Sequence, residues 1–383
     1  MKNSILIGKI NEGGKDLNVK IDFSASGKEN LSFIAVGASG SGKTVECQKL
    51  MMELAKNNAR VLVIDIHGTS KPDQIFYDHR EDFEKLANRY DGYMNPIKYP
   101  LFNLRIVDNS ANGTNLERVS DKASRMTASI SRSFRLGDNQ ECELKEAITA
   151  VINDDAYKNH GIVALRDELM GVTEPKFDNV IGHTKKTKKI PREAKSIYNK
   201  LYTLLEHNSF EEGEFFWKEG KINILDISYY APKEQKIICN LLLDSIWSDT
   251  TSENTIPTYI VIDEFQNLGL EKNGALATIL TEGRKKNLNC LLITQSLGGF
   301  FDGPQQKLLS QTRYQLIFRP ASADLKSFAG IVDPFRSPET IDALRRMKVG
   351  EFFVSGPIYI GEDDKPFEGV AILIKNQKTP KAG

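Results

Sequence analysis

Cysteine is scarce and scattered: Cys47, Cys142, Cys239 and Cys290 include no Cys-x-x-Cys pair. That argues against a disulfide framework or a zinc ribbon and makes a reducing cytoplasm the simplest setting. No stretch approaches the roughly 18 apolar residues that a bilayer-spanning helix needs, so no membrane segment is expected. The first residues, MKNSILIGKI, lack the apolar core of a secretory signal. Net charge is missing too, because 51 Lys and Arg balance 51 Asp and Glu. The sum therefore does not announce a nucleic-acid partner. There is no internal repeat or low-complexity tract. With 40% hydrophobic and 27% charged residues over 383 positions, the chain has the composition of a globular protein. At about 150 residues per domain its length suits two or three domains.

What the chain does have is a series of continuous apolar runs: LSFIAVG (31–37), RVLVIDI (60–66), KINILDI (221–227), TYIVIDE (258–264) and LNCLLIT (288–294). YQLIFR (314–319), EFFVSG (351–356) and GVAILIK (369–375) look like further strands. Unbroken rather than alternating runs fit strands covered on both faces by helices, so the expected class is α/β with a mostly parallel sheet. Residues 1–30 alternate instead, with Ile5, Ile7, Val19, Ile21 and Phe23 around Gly13-Gly14, and read as a short β-hairpin leader. Between 107 and 217 no strong strand stands out. Leu116, Val119, Ala123, Met126, Ile130 and Phe134 recur at helical spacing. So do Leu144, Ala147, Ile148 and Val151, and then Ala194, Ile197, Tyr198, Leu201 and Leu205. The expected organisation is a leader at 1–30, a sheet core at 31–106 and 218–375, a helical insertion at 107–217, and a polar tail at 376–383.

Residues 37–44 read GASGSGKT, the pattern G-x-x-x-x-G-K-[ST] between an apolar strand and a helix. In that setting backbone N–H groups of a glycine-rich loop close around phosphate oxygens, helped by the helix N-terminus. Gly37, Ser39, Gly40, Ser41, Gly42, Lys43, Thr44 and Val45 are the expected nucleotide-binding residues. Lys43 would neutralise the β- and γ-phosphates and Thr44 would ligate Mg²⁺. Asp263-Glu264 ends the run YIVIDE. Asp263 would hold Mg²⁺ through water, and Glu264 would orient or deprotonate the attacking water. Gln295, at the tip of LLITQ, either senses the γ-phosphate or caps a strand end. Arg284, in TEGRKKNLN, either reaches a neighbouring subunit's ATP or sits at a solvated helix end. Asp65 ends another strand, and His67 carries little catalytic weight.

Together GASGSGKT, VLVIDIHG, FRLGDNQ, INILDIS, YIVIDEFQNL, LTEGRKKNLNCLLITQS and MKVGEFFVSGP resemble the HerA/FtsK superfamily of DNA-translocating ATPases, most nearly its HerA-like members, over roughly residues 31–375. The related conjugation ATPases of type IV secretion come next. The resemblance implies a RecA-like ASCE P-loop core in a hexameric ring, with ATP and Mg²⁺ between subunits. It also implies Lys43, Glu264, Gln295 and Arg284 as catalytic, with Arg319 a weaker alternative to Arg284 as the trans-acting finger. HerA-like proteins usually begin with a β-barrel, whereas here a short leader precedes the first motor strand, and D-I-H-G-T-S lacks the family's acid after the D-x-H-G motif.

HTKKTKKIPREAK (183–195) carries Lys185, Lys186, Lys188, Lys189, Arg192 and Lys195 against Glu193. Such a stretch contacts DNA phosphates without reading sequence, or is a solvated basic loop. The leading expectation is a cytoplasmic ATP-driven DNA translocase or helicase working with a nuclease or an NADase in DNA end processing or anti-phage defence. The alternatives are a nucleotide-gated scaffold for an effector enzyme, and a conjugation or secretion motor.

Overall fold

In the computed structural model the described residues are 4–22, 30–109, 113–172, 190–268, 274–295, 309–333, 337–363, 365–367 and 371–375. Strands β1 (Ser4–Glu12) and β2 (Lys15–Asp22) form an antiparallel hairpin whose register shifts between Leu6 and Gly8. Strand β3 (Phe33–Val36) leads through the glycine-rich loop into α1 (Lys43–Lys56) and β4 (Arg60–Asp65). Cys47, Leu50, Met51 and Leu54 recur on one face of α1 and are buried there, each long side chain contributing about 2 kcal/mol of apolar burial. Next come α2 (Arg80–Leu86), β5 (Ala87–Asp91), β6 (Ile97–Lys98), and the antiparallel pair β7 (Ile106–Asn109) and β8 (Gly113–Leu116).

Four helices follow: α3 (Val119–Phe134), α4 (Asp138–Asn153), α5 (Ile162–Leu169) and α6 (Arg192–Glu206). After them come β9 (Phe210–Glu211), β10 (Ile222–Asp226), α7 (Pro232–Asp249) and β11 (Thr258–Asp263). Then α8 (Ala275–Glu282) runs into a 3₁₀ turn, Gly283–Lys286, and β12 (Leu288–Thr294). The chain closes with β13 (Tyr314–Phe318), α9 (Leu325–Val332), α10 (Ser337–Arg346), β14 (Phe352–Ser355), β15 (Tyr359–Ile360) and β16 (Ile372–Ile374).

Nine strands make one sheet in the order β16-β14-β13-β3-β12-β11-β4-β10-β5. Its centre, β13-β3-β12-β11-β4, is parallel, and β14 and β16 join antiparallel. The continuous runs are buried along their length, every residue of β12 included, as two covered faces require. Strand β12 lies between the strand that delivers the loop and the strand that ends in Asp263. The α/β class and the mostly parallel sheet are thus as the apolar runs predict. Two local differences stand out. Leu116 belongs to β8 rather than to the helix its spacing suggested, and that helix begins at Val119. The leader hairpin also gains a third strand, β15, paired with β2.

The chain divides into two compact units, Met1–Arg89 with Trp217–Leu225 and Thr251–Gly383, and Tyr90–Phe216 with Asp226–Thr250. In the second, Ala123, Met126 and Ile130 of α3, Leu144 and Ile148 of α4, and Ile197 and Leu201 of α6 are buried. Buried Glu117 pairs with Arg125 and lies 3.5 Å from Arg105, while Tyr99 donates to Asp249 at 2.9 Å. The first unit holds the loop at 37–44, both strand-tip acids and Gln295.

Candidate functional site

A cleft of 710 Å³ is lined by Ser39, Gly40, Ser41, Gly42, Lys43, Thr44 and Val45, together with Asp263, Glu264 and Gln295. The parallel sheet explains the meeting. Val36 pairs with Thr294 across β3 and β12, and Asp263 pairs with Ile293 across β11 and β12. The loop, the acid pair and Gln295 therefore leave three adjacent strands at the same end.

The loop is held by its own backbone. Ala38 N–H donates to the Arg319 carbonyl at 2.8 Å, and Ser41 N–H to Ala38 at 3.2 Å. Gly42 has φ 99°, and a Cβ there would lie 2.8 Å from the backbone nitrogen of Gly350. Gly350 N–H in turn donates to the Ser41 carbonyl at 3.0 Å, so the turn at Val349-Gly350 braces the loop from outside it. The Lys43 ammonium is buried and donates to the carbonyls of Gly37 at 2.6 Å and Ala38 at 3.0 Å. Burial pushes its pKa down, while Glu264 and Asp263 pull it up.

Asp263 is held above the ordinary carboxylate range, first by burial and then by the neighbouring Glu264; Lys43 and a hydrogen bond from Thr69 oppose that shift. Asp65, expected only to end its strand, is buried and accepts from the backbone nitrogens of His67 (3.2 Å), Thr69 (3.0 Å) and Ser70 (2.8 Å). It thereby shapes the turn that carries Thr69 to Asp263. Glu264 adopts φ 52°, ψ 45°, a left-handed conformation that a non-glycine residue enters at a cost of about 1–3 kcal/mol. Its Oε2 accepts from Gln266 Nε2 and, at 3.3 Å, from Gln295 N–H. Thr294 Oγ1 donates to Gln266 Oε1 at 2.7 Å.

Arg284 is not among the residues lining the cleft. It is exposed in the turn before β12, at the opposite end of that strand from Gln295. Seven residues at 3.3 Å per residue separate the two ends of the strand by about 20 Å. Arg319 sits beside the loop through its carbonyl, but its side chain does not line the cleft either. Of the basic stretch, residues 183–189 lie outside the described residues, and Arg192 and Lys195 are exposed at the start of α6. His67, Thr69, Gln266, Asn267, Val349 and Gly350 complete the cleft wall. Gln266 and Asn267 lie in YIVIDEFQNL, His67 and Thr69 in D-I-H-G-T-S, and Val349 and Gly350 in MKVGEFFVSGP; the sequence marked these segments without assigning the residues to the site.

The residues fit a nucleotide with Mg²⁺. Lys43 and the loop amides suit phosphate, and two partly buried acids side by side favour a cation. Thr44 and Asp263 offer hard oxygen donors, and no cluster of three or more His, Cys, Asp or Glu able to hold a metal occurs among the described residues. Mg²⁺ is commonly held by so few protein groups because substrate phosphates complete its shell.

Residues 7–246 match the family described as helicase HerA, central domain, a span that takes in the loop and ends before the acid pair. No curated protein matches the sequence. Among solved structures, VirB4 of Thermoanaerobacter pseudethanolicus aligns with a TM-score of 0.64 at 17% identity, covering 99% of this chain and 98% of its own. The bacterial conjugative coupling protein TrwBdeltaN70 aligns at 0.55 and 15%, covering 97% and 88%. The plasmid coupling protein TrwB in complex with ADP and Mg²⁺ aligns at 0.50 and 16%, covering 90% and 85%. At these identities the likeness is one of fold, a RecA-like P-loop core.

Proposed function

The chain belongs to the HerA helicase central-domain family of P-loop NTPases, and from that premise we propose that it is an ATP-hydrolysing motor that assembles as a ring and moves DNA. One observation carries the reading: Lys43 and Thr44 meet Asp263 and Glu264 in a single cleft at the carboxyl end of the sheet. ATP in that cleft would exchange its β- and γ-phosphate oxygens for the carbonyls that Lys43 now contacts. Thr44, with Asp263 through water, would hold Mg²⁺, which supplies charge neutralisation on the phosphate oxygens when bound. TrwB, of the same fold, is seen in complex with ADP and Mg²⁺, which supports this pairing. Glu264 orients or deprotonates the water, and Gln295 senses the γ-phosphate.

Arg284 is too far along β12 to serve its own cleft, so its proposed role is toward a neighbouring subunit, with Arg319 as the alternative. A hexameric ring is the assembly proposed. Exposed Arg192 and Lys195, with Lys185, Lys186, Lys188 and Lys189, are proposed to meet DNA phosphates without sequence preference. A nuclease or an NADase is the proposed partner enzyme, in DNA end processing or defence. Among the described residues no helix is long and apolar enough to cross a membrane, and a cytoplasmic setting is proposed. The whole-length likeness to VirB4 and to a conjugative coupling protein favours a second reading, a conjugation or secretion motor.

The test is ATP turnover with and without single- or double-stranded DNA. The translocase reading expects stimulation. A rate indifferent to both would discard it and leave a nucleotide-gated scaffold.

A further inference from the structure

Three side chains from the ends of two adjacent strands, Glu264 and Gln266 after β11 and Thr294 at the tip of β12, form a short hydrogen-bonded chain in the wall of the cleft. Thr294 is fully buried at the last position of β12, and its hydroxyl donates to Gln266 Oε1 at 2.7 Å. That bond sets the orientation of the Gln266 amide, leaving Nε2 as the end that faces a carboxylate. Nε2 donates to Oε2 of Glu264, and the same oxygen accepts from the backbone N–H of Gln295 at 3.3 Å. Both bonds fall on one oxygen. A carboxylate anchored by Oε2 in this way has Oε1 left to accept from water, in a fixed direction. The arrangement also restricts the rotamers of a side chain whose backbone is in a left-handed conformation.

We infer that Gln266 is a positioning residue for Glu264, and that Thr294 fixes Gln266 in turn, so that the buried end of β12 aims the carboxylate at the attacking water. This rests on the assignment of Glu264 to ATP hydrolysis proposed above. Gln266 does not touch the nucleotide in this role. It acts through the angle and reach of the neighbouring carboxylate, the kind of placement on which effective molarity depends. The chain also joins the Gln295 backbone to Glu264, so a displacement of Gln295 would be passed to the same oxygen.

The test is steady-state ATP hydrolysis by the full chain carrying Gln266→Met, which keeps the length of the side chain and removes both hydrogen bonds. Loss of a hydrogen bond to a charged group predicts a fall in kcat of about tenfold or more. KM for ATP should stay within about twofold, since the loop and Lys43 are untouched. Thr294→Val should lower kcat in the same sense and by less, and Thr294→Ser, which restores the hydroxyl, should recover most of the loss. A merely structural role would lower thermal stability and change kcat and KM together, with no recovery specific to the hydroxyl; that pattern overturns the inference. Glu264→Gln separates the two levels. If Glu264→Gln still turns over at the wild-type rate, the assignment of the glutamate itself fails. If Glu264→Gln is inactive while Gln266→Met keeps wild-type kcat, the positioning role alone is wrong.

Discussion

At the residue scale the acid pair sets function against stability. Burial and then Glu264 hold Asp263 above the ordinary carboxylate range, and the opposing pull of Lys43 and Thr69 does not cancel this. A carboxyl whose folded pKa is raised keeps its proton more firmly in the folded state than in the unfolded one. Its ionisation therefore costs stability, absent at acid pH and growing as pH rises past about 4, the unfolded value, through the raised folded value. Asp263→Asn should accordingly stabilise the ligand-free protein at neutral pH by about 1 kcal/mol while Mg²⁺-dependent turnover falls to background. Denaturant unfolding alongside phosphate release checks both halves, and a less stable variant would contradict the electrostatic account. Lys43→Ala should abolish turnover and weaken nucleotide binding. An unchanged rate would remove the central claim about the cleft. The loop residues were legible because their chemistry sits in eight consecutive positions. Thr69 and Gly350 were not assigned to the site, although they lie in the notable segments D-I-H-G-T-S and MKVGEFFVSGP, because only the folded chain sets them against that loop.

At the scale of elements, the connection from β3 to α1 depends on a close approach. Gly42 combines a positive φ with a Cβ position 2.8 Å from backbone that cannot move aside as a side-chain tip would. Gly42→Ala should cost more than about 1 kcal/mol of stability and should also weaken nucleotide binding, since relief requires the loop to pull away from the turn at Val349-Gly350. Calorimetric unfolding and nucleotide titration of the same variant read the two effects, and full retention of both would show that the loop relaxes freely. Element by element, the buried strands were readable because an unbroken apolar run has few other places to go. Strands β7 and β8 were not, since Leu116 falls on the same spacing as the helix that starts three residues later. Strand β15 spans two residues, too few for any period, and exists through its pairing with Lys20 and Val19. Helix α5, with eight residues, is similarly short for a periodicity to declare itself.

At the scale of the whole molecule, the assembly proposal predicts shared active sites. Arg284→Ala should lose turnover while keeping nucleotide affinity, and mixing it with Glu264→Gln subunits should restore part of the activity where an intact arginine faces an intact glutamate. Mixed rings, verified by size, that show no recovery would argue against a trans role for Arg284. The zero net charge that opened the sequence was a poor guide because it is a sum, with acids at the strand tips and bases elsewhere. The same holds for length, which suggested two or three domains and resolves into two compact units with interleaved segments. Strand β12 gives the proposed ring its mechanical character. Buried at every residue and bonded on both sides, it has no slack to absorb a displacement. In the proposed ring, with Gln295 at one end and the turn bearing Arg284 at the other, it would act as a push-rod: a shift imposed at one nucleotide would arrive at the neighbour's side as travel, and the stiffness of one strand would set the timing of successive hydrolysis events.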